Sequence, residues 1–151
     1  MPRGSRRLPD ECLRELAASD LILHAGDVVS ASVLEELRAL APVEAVHGNM
    51  DEPALKAALP ETRVVELAGA RIGMVHEPGP AAGRAARLRA RFPDCDAVIY
   101  GHTHLPELTR QGSTWILNPG SPTERRRAPS RTMIVIEAGD GRLEPRLVEL
   151  P

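Results

Sequence analysis

Asp27, Asn49, His76, His102 and His104 offer a carboxylate, an amide oxygen and three imidazoles within a chain of 151 residues. Each stands at or just past the end of a short apolar run. DLILH precedes Ala25-Gly26-Asp27, VEAVH precedes Gly48-Asn49, a run over 71–76 ends on His76 itself, and DAVIY precedes Gly101-His102-Thr103-His104. Oxygen and imidazole donors with no thiolate among them form a set that Mn²⁺, Fe or Zn²⁺ accepts. The His102-x-His104 pair is the strongest single signal, because alternate residues of an extended segment point to the same side. Taken singly, each residue has an ordinary role: Asp27 as a turn residue or helix cap, Gly48-Asn49 as a turn dipeptide, His76 as a strand-end histidine. A structural zinc site is a competing use of the histidines, but the cysteines that such sites employ are missing from the pattern. The shared position at strand ends favours one joint site.

The elements that must position these residues follow from periodicity. Pro9 opens a helix with Leu13, Leu16 and Ala17 on one face. Asp20 to His24 reads as a buried strand, and Ser30 or Ser32 caps a helix on which Val33, Leu34, Leu37 and Leu40 recur at helical spacing until Pro42. Val43 to His47 is a second strand, followed by a short helix over 53–58. Two strands, Arg63 to Leu67 and Arg71 to His76, are joined by a tight turn at Gly69. An Arg-rich amphipathic helix spans Ala81 to Phe92, and Asp96 to Tyr100 is a strand. Beyond it the pattern is β-rich, with hairpins around Gln111-Gly112 and Gly139-Asp140-Gly141. Alternating β and α in front and strands behind predict a layered α/β protein, two sheets packed between helices, as a single domain over 1–151. In such sheets the carboxyl ends of strands converge on one edge, so five residues distant in sequence can meet there.

Composition narrows the function classes. The apolar fraction is 42% and the charged fraction 26%, which suits one globular domain with a real core. Phe92, Tyr100 and Trp115 are the only aromatics, too few for a base-stacking platform, and the net charge of −2 gives no reason to expect polyanion binding. Cys12 and Cys95 form no C-x-x-C pair and no disulfide framework. No secretory signal and no membrane-length apolar run is visible, so the expectation is a cytoplasmic protein with no membrane partner.

The assembled motifs are HAGD (24–27), GNMD (48–51), VH (75–76), GHTH (101–104) and NPGS (118–121). Their order and spacing over about Pro9 to Arg131 resemble the calcineurin-like metallophosphoesterase family, and within it the small YfcE-like phosphodiesterase branch. The resemblance implies a four-layer αββα sandwich and a pair of divalent metal ions, Mn²⁺ first, with Ni²⁺, Fe²⁺ or Zn²⁺ as alternatives. It implies that Asp27 bridges the two ions, that Asn49, His76 and His102 complete one site, and that His104 serves the other. Asp51 would orient a ligand or the nucleophile. The implied reaction is hydrolysis of a small phosphodiester or nucleotide by metal-activated water.

The chain also departs from the family. Family members begin with a strand ending in Asp-x-His, two further ligands for the ion that His104 serves, and no Asp-x-His occurs in this sequence. Met1 to Leu8 and the Pro9 helix resemble the segment that family members place directly after that motif. The expectation is therefore a domain incomplete at its N-terminus, its first strand missing, through a misassigned start before a truncation or a true loss. Such a chain would hold one ion adequately and the second weakly. The alternative function is a catalytically impaired protein-interaction scaffold of the same fold. Met50 stands where relatives place a histidine that protonates the leaving group, and Glu77 stands where Gly is common. NPGS reads equally as a glycine turn beside the site or as an ordinary strand-to-loop turn. The Arg125-Arg126-Arg127 run and the Arg84 to Arg91 stripe read as solvated surface before phosphate-binding groups.

Overall fold

Residues 6–151 are described by a computed structural model. Helix α1 (Asp10–Ala17) follows Pro9, whose φ of −57° already suits a first turn, and carries Asp10 and Glu11 at the positive end of its dipole. Cys12, not Leu13, is its deepest residue. The inward stripe is Cys12 and Leu16, four residues apart, while Leu13 is 37% exposed and Ala17 faces solvent. Strand β1 (Ile22–His24), helix α2 (Ala31–Arg38) and strand β2 (Val43–Ala45) form a parallel crossover unit with Ile22 opposite Val43 and His24 opposite Ala45. Ser30 occupies the cap position of α2 without a side-chain cap bond. Instead Glu52 accepts from the Ala31 amide at 2.9 Å, so the helix start is tied to the loop after β2.

Helix α3 (Pro53–Ala58) leads into the larger sheet. Its strands are β3 (Thr62–Leu67), β4 (Ala70–Val75), β5 (Ala97–Tyr100), β6 (Glu107–Gln111) and β7 (Thr114–Asn118), in the spatial order β3-β4-β5-β7-β6. The central three, β4, β5 and β7, are mutually parallel, and antiparallel partners close both edges. Helix α4 (Arg84–Arg91) joins β4 to β5 and starts three residues later than the periodicity suggests. Gly83 lies in the left-handed region at φ 67°, and Arg87 spends its guanidinium on the carbonyls of Pro78, Pro80 and Ala82. Strands β8 (Arg131–Gly139) and β9 (Arg142–Leu150) make a long hairpin about Asp140-Gly141.

Four layers result. Between the sheets lies an aliphatic core from Leu23, Val46, Ile72, Ile99 and Leu117 to Ile134 and Ile136 of the β8/β9 hairpin. Outside the five-stranded sheet, Leu88 and Phe92 of the α4 segment cover Val75, Val98, Tyr100 and Ile116. Outside the other layer, α1 and α2 cover Ile22, Val148 and Leu150. That second layer is built as two separate pairs, β1-β2 and β8-β9. Both cysteines are buried and free.

One contact in the outer core is tight enough to test. A Cβ added at Gly73 of β4 would lie 2.6 Å from Cγ and Cδ1 of Phe92, so the ring can pack only because the strand has no side chain there. Gly73→Ala is expected to destabilise the fold by about 1–3 kcal/mol, as overpacking does. In urea unfolding, Phe92→Leu is expected to recover part of that loss in the double variant, a non-additivity that two independent sites would not show.

Candidate functional site

Strands β1 and β2 of one layer and β4, β5 and β7 of the other end at the same edge of the molecule. Their exits carry Asp27, Asn49, His76, the pair His102 and His104, and Asn118. The structure brings four of the five sequence-derived residues into one contact cluster. His76 is 4% exposed, and its Nδ1 donates to the Ala25 carbonyl at 2.7 Å. That bond leaves Nε2 facing the cluster, 3.0 Å from Asn49 Oδ1 and 3.3 Å from Asp27 Oδ2. His102 Nδ1 stands 3.2 Å from the same Asn49 oxygen and 3.4 Å from His76 Nε2, the two rings meeting edge-on at 90°.

These contacts have the dimensions of a coordination shell. Donors about 2.1 Å from one cation lie about 3.0 Å apart in octahedral and about 3.4 Å apart in tetrahedral arrangement. The chemistry agrees: a carboxylate oxygen, an amide oxygen and an imidazole nitrogen all turn toward His76 Nε2, a crowding of polar atoms that a proton or a cation between them relieves. Among the described residues, no three carboxylate, imidazole or thiolate groups close on one point by themselves. The Asn49 amide oxygen is the member that joins His76 to His102. The residues therefore fit a divalent cation held by mixed oxygen and nitrogen donors.

Charge follows the same geometry. Burial alone would raise the Asp27 carboxyl, but the bonds from His76 and from the Met50 amide outweigh it and hold the group at about 2. For His76, burial disfavours the imidazolium, yet Asp27 and the Ala25 carbonyl prevail and the pKa rises. His104 goes the other way, pushed down chiefly by burial.

His104 is the residue the cluster does not include. It lines the same cavity as Asp27, His76 and His102, but its Nδ1 donates to the Glu124 carbonyl at 2.9 Å. The alternation argument fails here for a physical reason: GHTH is not extended. His102 and His104 have φ of 68° and 58°, both left-handed, so the two rings leave the chain in turn geometry. Asn118 imposes that turn. Fully buried, it donates to the Gly101 carbonyl at 3.2 Å and to Thr103 Oγ1 at 2.9 Å, while its Oδ1 accepts from the Gly120 amide. Asn118 was legible only as the first letter of a turn motif, and nothing in its spacing announces that it shapes the loop of a different strand.

Asp51 is 4% exposed, and both its oxygens are taken by main chain at 2.6 Å, one by the Val29 amide and one by the Gly48 amide. It thus fastens the Asp27 loop to the Asn49 loop. Close approach does the rest. A Cβ at Gly48 would lie 2.2 Å from Asp27 Oδ1, and one at Gly26 within 2.6–2.8 Å of the His76 ring. Beside the cluster opens a cavity of about 270 Å³ lined by His47, Asn49, Lys56, Glu61, His76 and Glu77. Glu77 and Met50 are exposed, as the sequence suggests for Glu77. The arginines are less simply placed: Arg84 stacks its guanidinium over Tyr100 at 5.3 Å, and Arg125 bonds the Pro129 carbonyl.

Comparison with known proteins agrees with this arrangement. The calcineurin-like phosphoesterase superfamily domain matches residues 4–141. A probable metallophosphoesterase of Methanothermobacter thermautotrophicus is 35% identical over 137 residues, 89% of this chain and 79% of that protein. The crystal structure of wild-type Vps29 with Zn²⁺ from Entamoeba histolytica superposes with a TM-score of 0.78 at 27% identity, over 99% of this chain and 93% of that one. A novel archaeal phosphodiesterase shares the fold, with a TM-score of 0.70 at 19% identity over 92% of this chain and 90% of the other. A site assembled at five strand ends, on a fold these proteins share, places the chain in the calcineurin-like phosphoesterase superfamily, whose metallophosphoesterases work with divalent metals.

Proposed function

We propose that this chain is a metal-dependent phosphodiesterase in which Asp27, Asn49, His76 and His102 hold one divalent cation and His104, with Asp27, belongs to a second. The observation that carries the reading is the four-residue cluster with donor-to-donor distances of 3.0–3.4 Å. A bound cation there supplies charge neutralisation on phosphoryl oxygens and acidifies water. The protein's own groups prepare that chemistry. The Ala25 carbonyl fixes the His76 tautomer, so that the Nε2 lone pair faces inward. The Glu124 carbonyl does the same for His104, whose basicity burial depresses. Asp51 is a positioning residue that holds the Asp27 and Asn49 loops at fixed separation. The neighbouring cavity offers the only lysine of the chain, Lys56, to a phosphate and has room for a small phosphodiester or nucleotide. Mn²⁺ is the proposed ion, since two imidazoles with a carboxylate and an amide are moderately hard donors. The scaffold alternative draws its support from the likeness in fold to Vps29.

Titration with Mn²⁺ is expected to give one tightly held ion per chain and a second far weaker one, with slow Mn²⁺-dependent hydrolysis of bis(p-nitrophenyl) phosphate. Asp27→Ala is expected to abolish both. No bound ion in the wild-type chain overturns the metal reading, and equal turnover by Asp27→Ala overturns the enzyme reading in favour of the scaffold.

Two further variants probe the geometry. Gly48→Ala drives a methyl into Asp27 and is expected to weaken Mn²⁺ at least tenfold while far-UV circular dichroism stays native. Because Met50 can protonate no leaving group, aryl diesters should outpace alkyl diesters by about 10²-fold or more. Met50→His is expected to narrow that gap by raising the alkyl rate alone.

A further inference from the structure

The chain between β7 and β8 buries an unusual share of polar side chains: Asn118, Ser121, Thr123 and, at the start of β8, Thr132 are each at most 7% exposed. Thr132 fastens the turn to β8. Its hydroxyl donates to the Pro119 carbonyl at 2.7 Å and its amide to the Ser121 carbonyl at 3.1 Å. A Cβ at Gly120 would collide with Thr132 Oγ1, so the turn settles on the strand only because glycine stands there, at φ 73°. Ser121 carries the order further along the loop. Its hydroxyl oxygen accepts from the Glu124 amide at 3.0 Å and from the Thr123 amide at 3.4 Å. Thr123 shows that these bonds impose the course of the loop. Its buried hydroxyl has no hydrogen-bond partner among the described residues, a cost that the surrounding bonds must outweigh.

This polar path ends at the site. The Glu124 amide is held by Ser121 and its carboxylate by Arg6 at 3.3 Å, which leaves the carbonyl on His104 Nδ1, 2.9 Å away. A carbonyl only accepts, so Nδ1 carries the proton and Nε2 keeps the lone pair. His76 owes its tautomer to the Ala25 carbonyl in the same way, but Ala25 directly follows β1. Glu124 belongs to no helix or strand, so its carbonyl has a fixed direction only if the loop is held. Of its two holds, the Arg6 pair is exposed and screened by solvent, whereas Ser121 is buried.

We infer that Ser121 is a positioning residue for His104: its hydroxyl fixes the Glu124 backbone, and the Glu124 carbonyl in turn decides which imidazole nitrogen faces the cavity. What His104 then binds rests on the proposed second cation; the positioning itself does not. The role needs a short side chain with a strong acceptor that reaches amides two and three residues on, which serine and threonine supply and alanine does not.

The test reads the ring directly. In the 151-residue chain in EDTA, above the pH range in which imidazole is protonated, long-range proton–nitrogen correlations separate the Nδ1–H from the Nε2–H tautomer. The His104 signals are assigned by their absence from His104→Gln. Wild-type His104 is expected in the Nδ1–H form. Ser121→Ala is expected to lose that signature to the Nε2–H form, and Ser121→Thr to restore it. Thr123→Val removes the unpartnered hydroxyl of the same loop; it is expected to leave the tautomer unchanged while the unfolding midpoint holds or rises. An unchanged tautomer in Ser121→Ala overturns the proposal. An equal change in Thr123→Val overturns it too, since the ring would then be reporting only the stability of the loop. If Ser121→Ala does not fold, the nearly isosteric Ser121→Cys, a weaker acceptor, is read instead: a partial shift to Nε2–H is expected, and an unaltered ring overturns the proposal. With Mn²⁺ added, Ser121→Ala is expected to weaken the second ion about tenfold or more and to spare the first. Failure of a second ion to bind the wild-type chain, with the tautomer results intact, counts against the metal reading alone.

Discussion

The His76 ring is held with no freedom. Its Nδ1 is bound to the Ala25 carbonyl, the backbone of Gly26 lies where any side chain would strike it, and Asp27 and Asn49 meet its Nε2. This contact joins the two layers at the site: His76 leaves β4 of the larger sheet, while Ala25 and Asp27 leave β1 of the other. The rest of the site depends on it. Without that carbonyl, the ring could present either nitrogen, and the donor geometry at Asn49 and His102 would have no fixed centre.

Such rigidity is costly to maintain. Asp27, Val29, His102 and His104 all have positive φ, which for residues other than glycine costs of order 1–3 kcal/mol each. Val29 is the clearest case, since a β-branched side chain at φ 82° crowds its own backbone. What holds the strained turns is the buried polar frame around them. Asp51 grips the Val29 and Gly48 amides with short bonds to its two carboxyl oxygens, and Asn118 fills three bonds to the GHTH and NPGS turns. Strain and frame occur at the same strand ends, as expected where a fold fixes donor groups in advance of a ligand.

This division explains what could be read from sequence. Short apolar runs followed by polar residues located β1, β2, β4 and β5 and, through the rule of converging strand ends, the Asp27, Asn49, His76 and His102 cluster. Local pattern failed where a partner distant in sequence decides the geometry. His102 and His104 do not share a face, because Asn118 and Glu124 turn the loop. Leu13 is exposed because α1 meets β9 through Cys12, a residue whose hydrophobicity the helical count undervalued. The stripe of arginines on α4 was legible as surface, but not the use of Arg87 to fasten the loop of Pro78 to Ala82.

The two layers do not support the site equally. His76, His102 and Asn118 stand on β4, β5 and β7, the three central strands of a sheet paired on every side. Asp27 and Asn49 stand on β1 and β2, strands of three residues that pair with each other alone among the described elements. Yet Asp27 is the residue that both proposed ions share. The distance from Asp27 to His76 therefore depends on how firmly β1 is held against the larger sheet. Affinity at the proposed first metal site then becomes a measure of how well β1 is held.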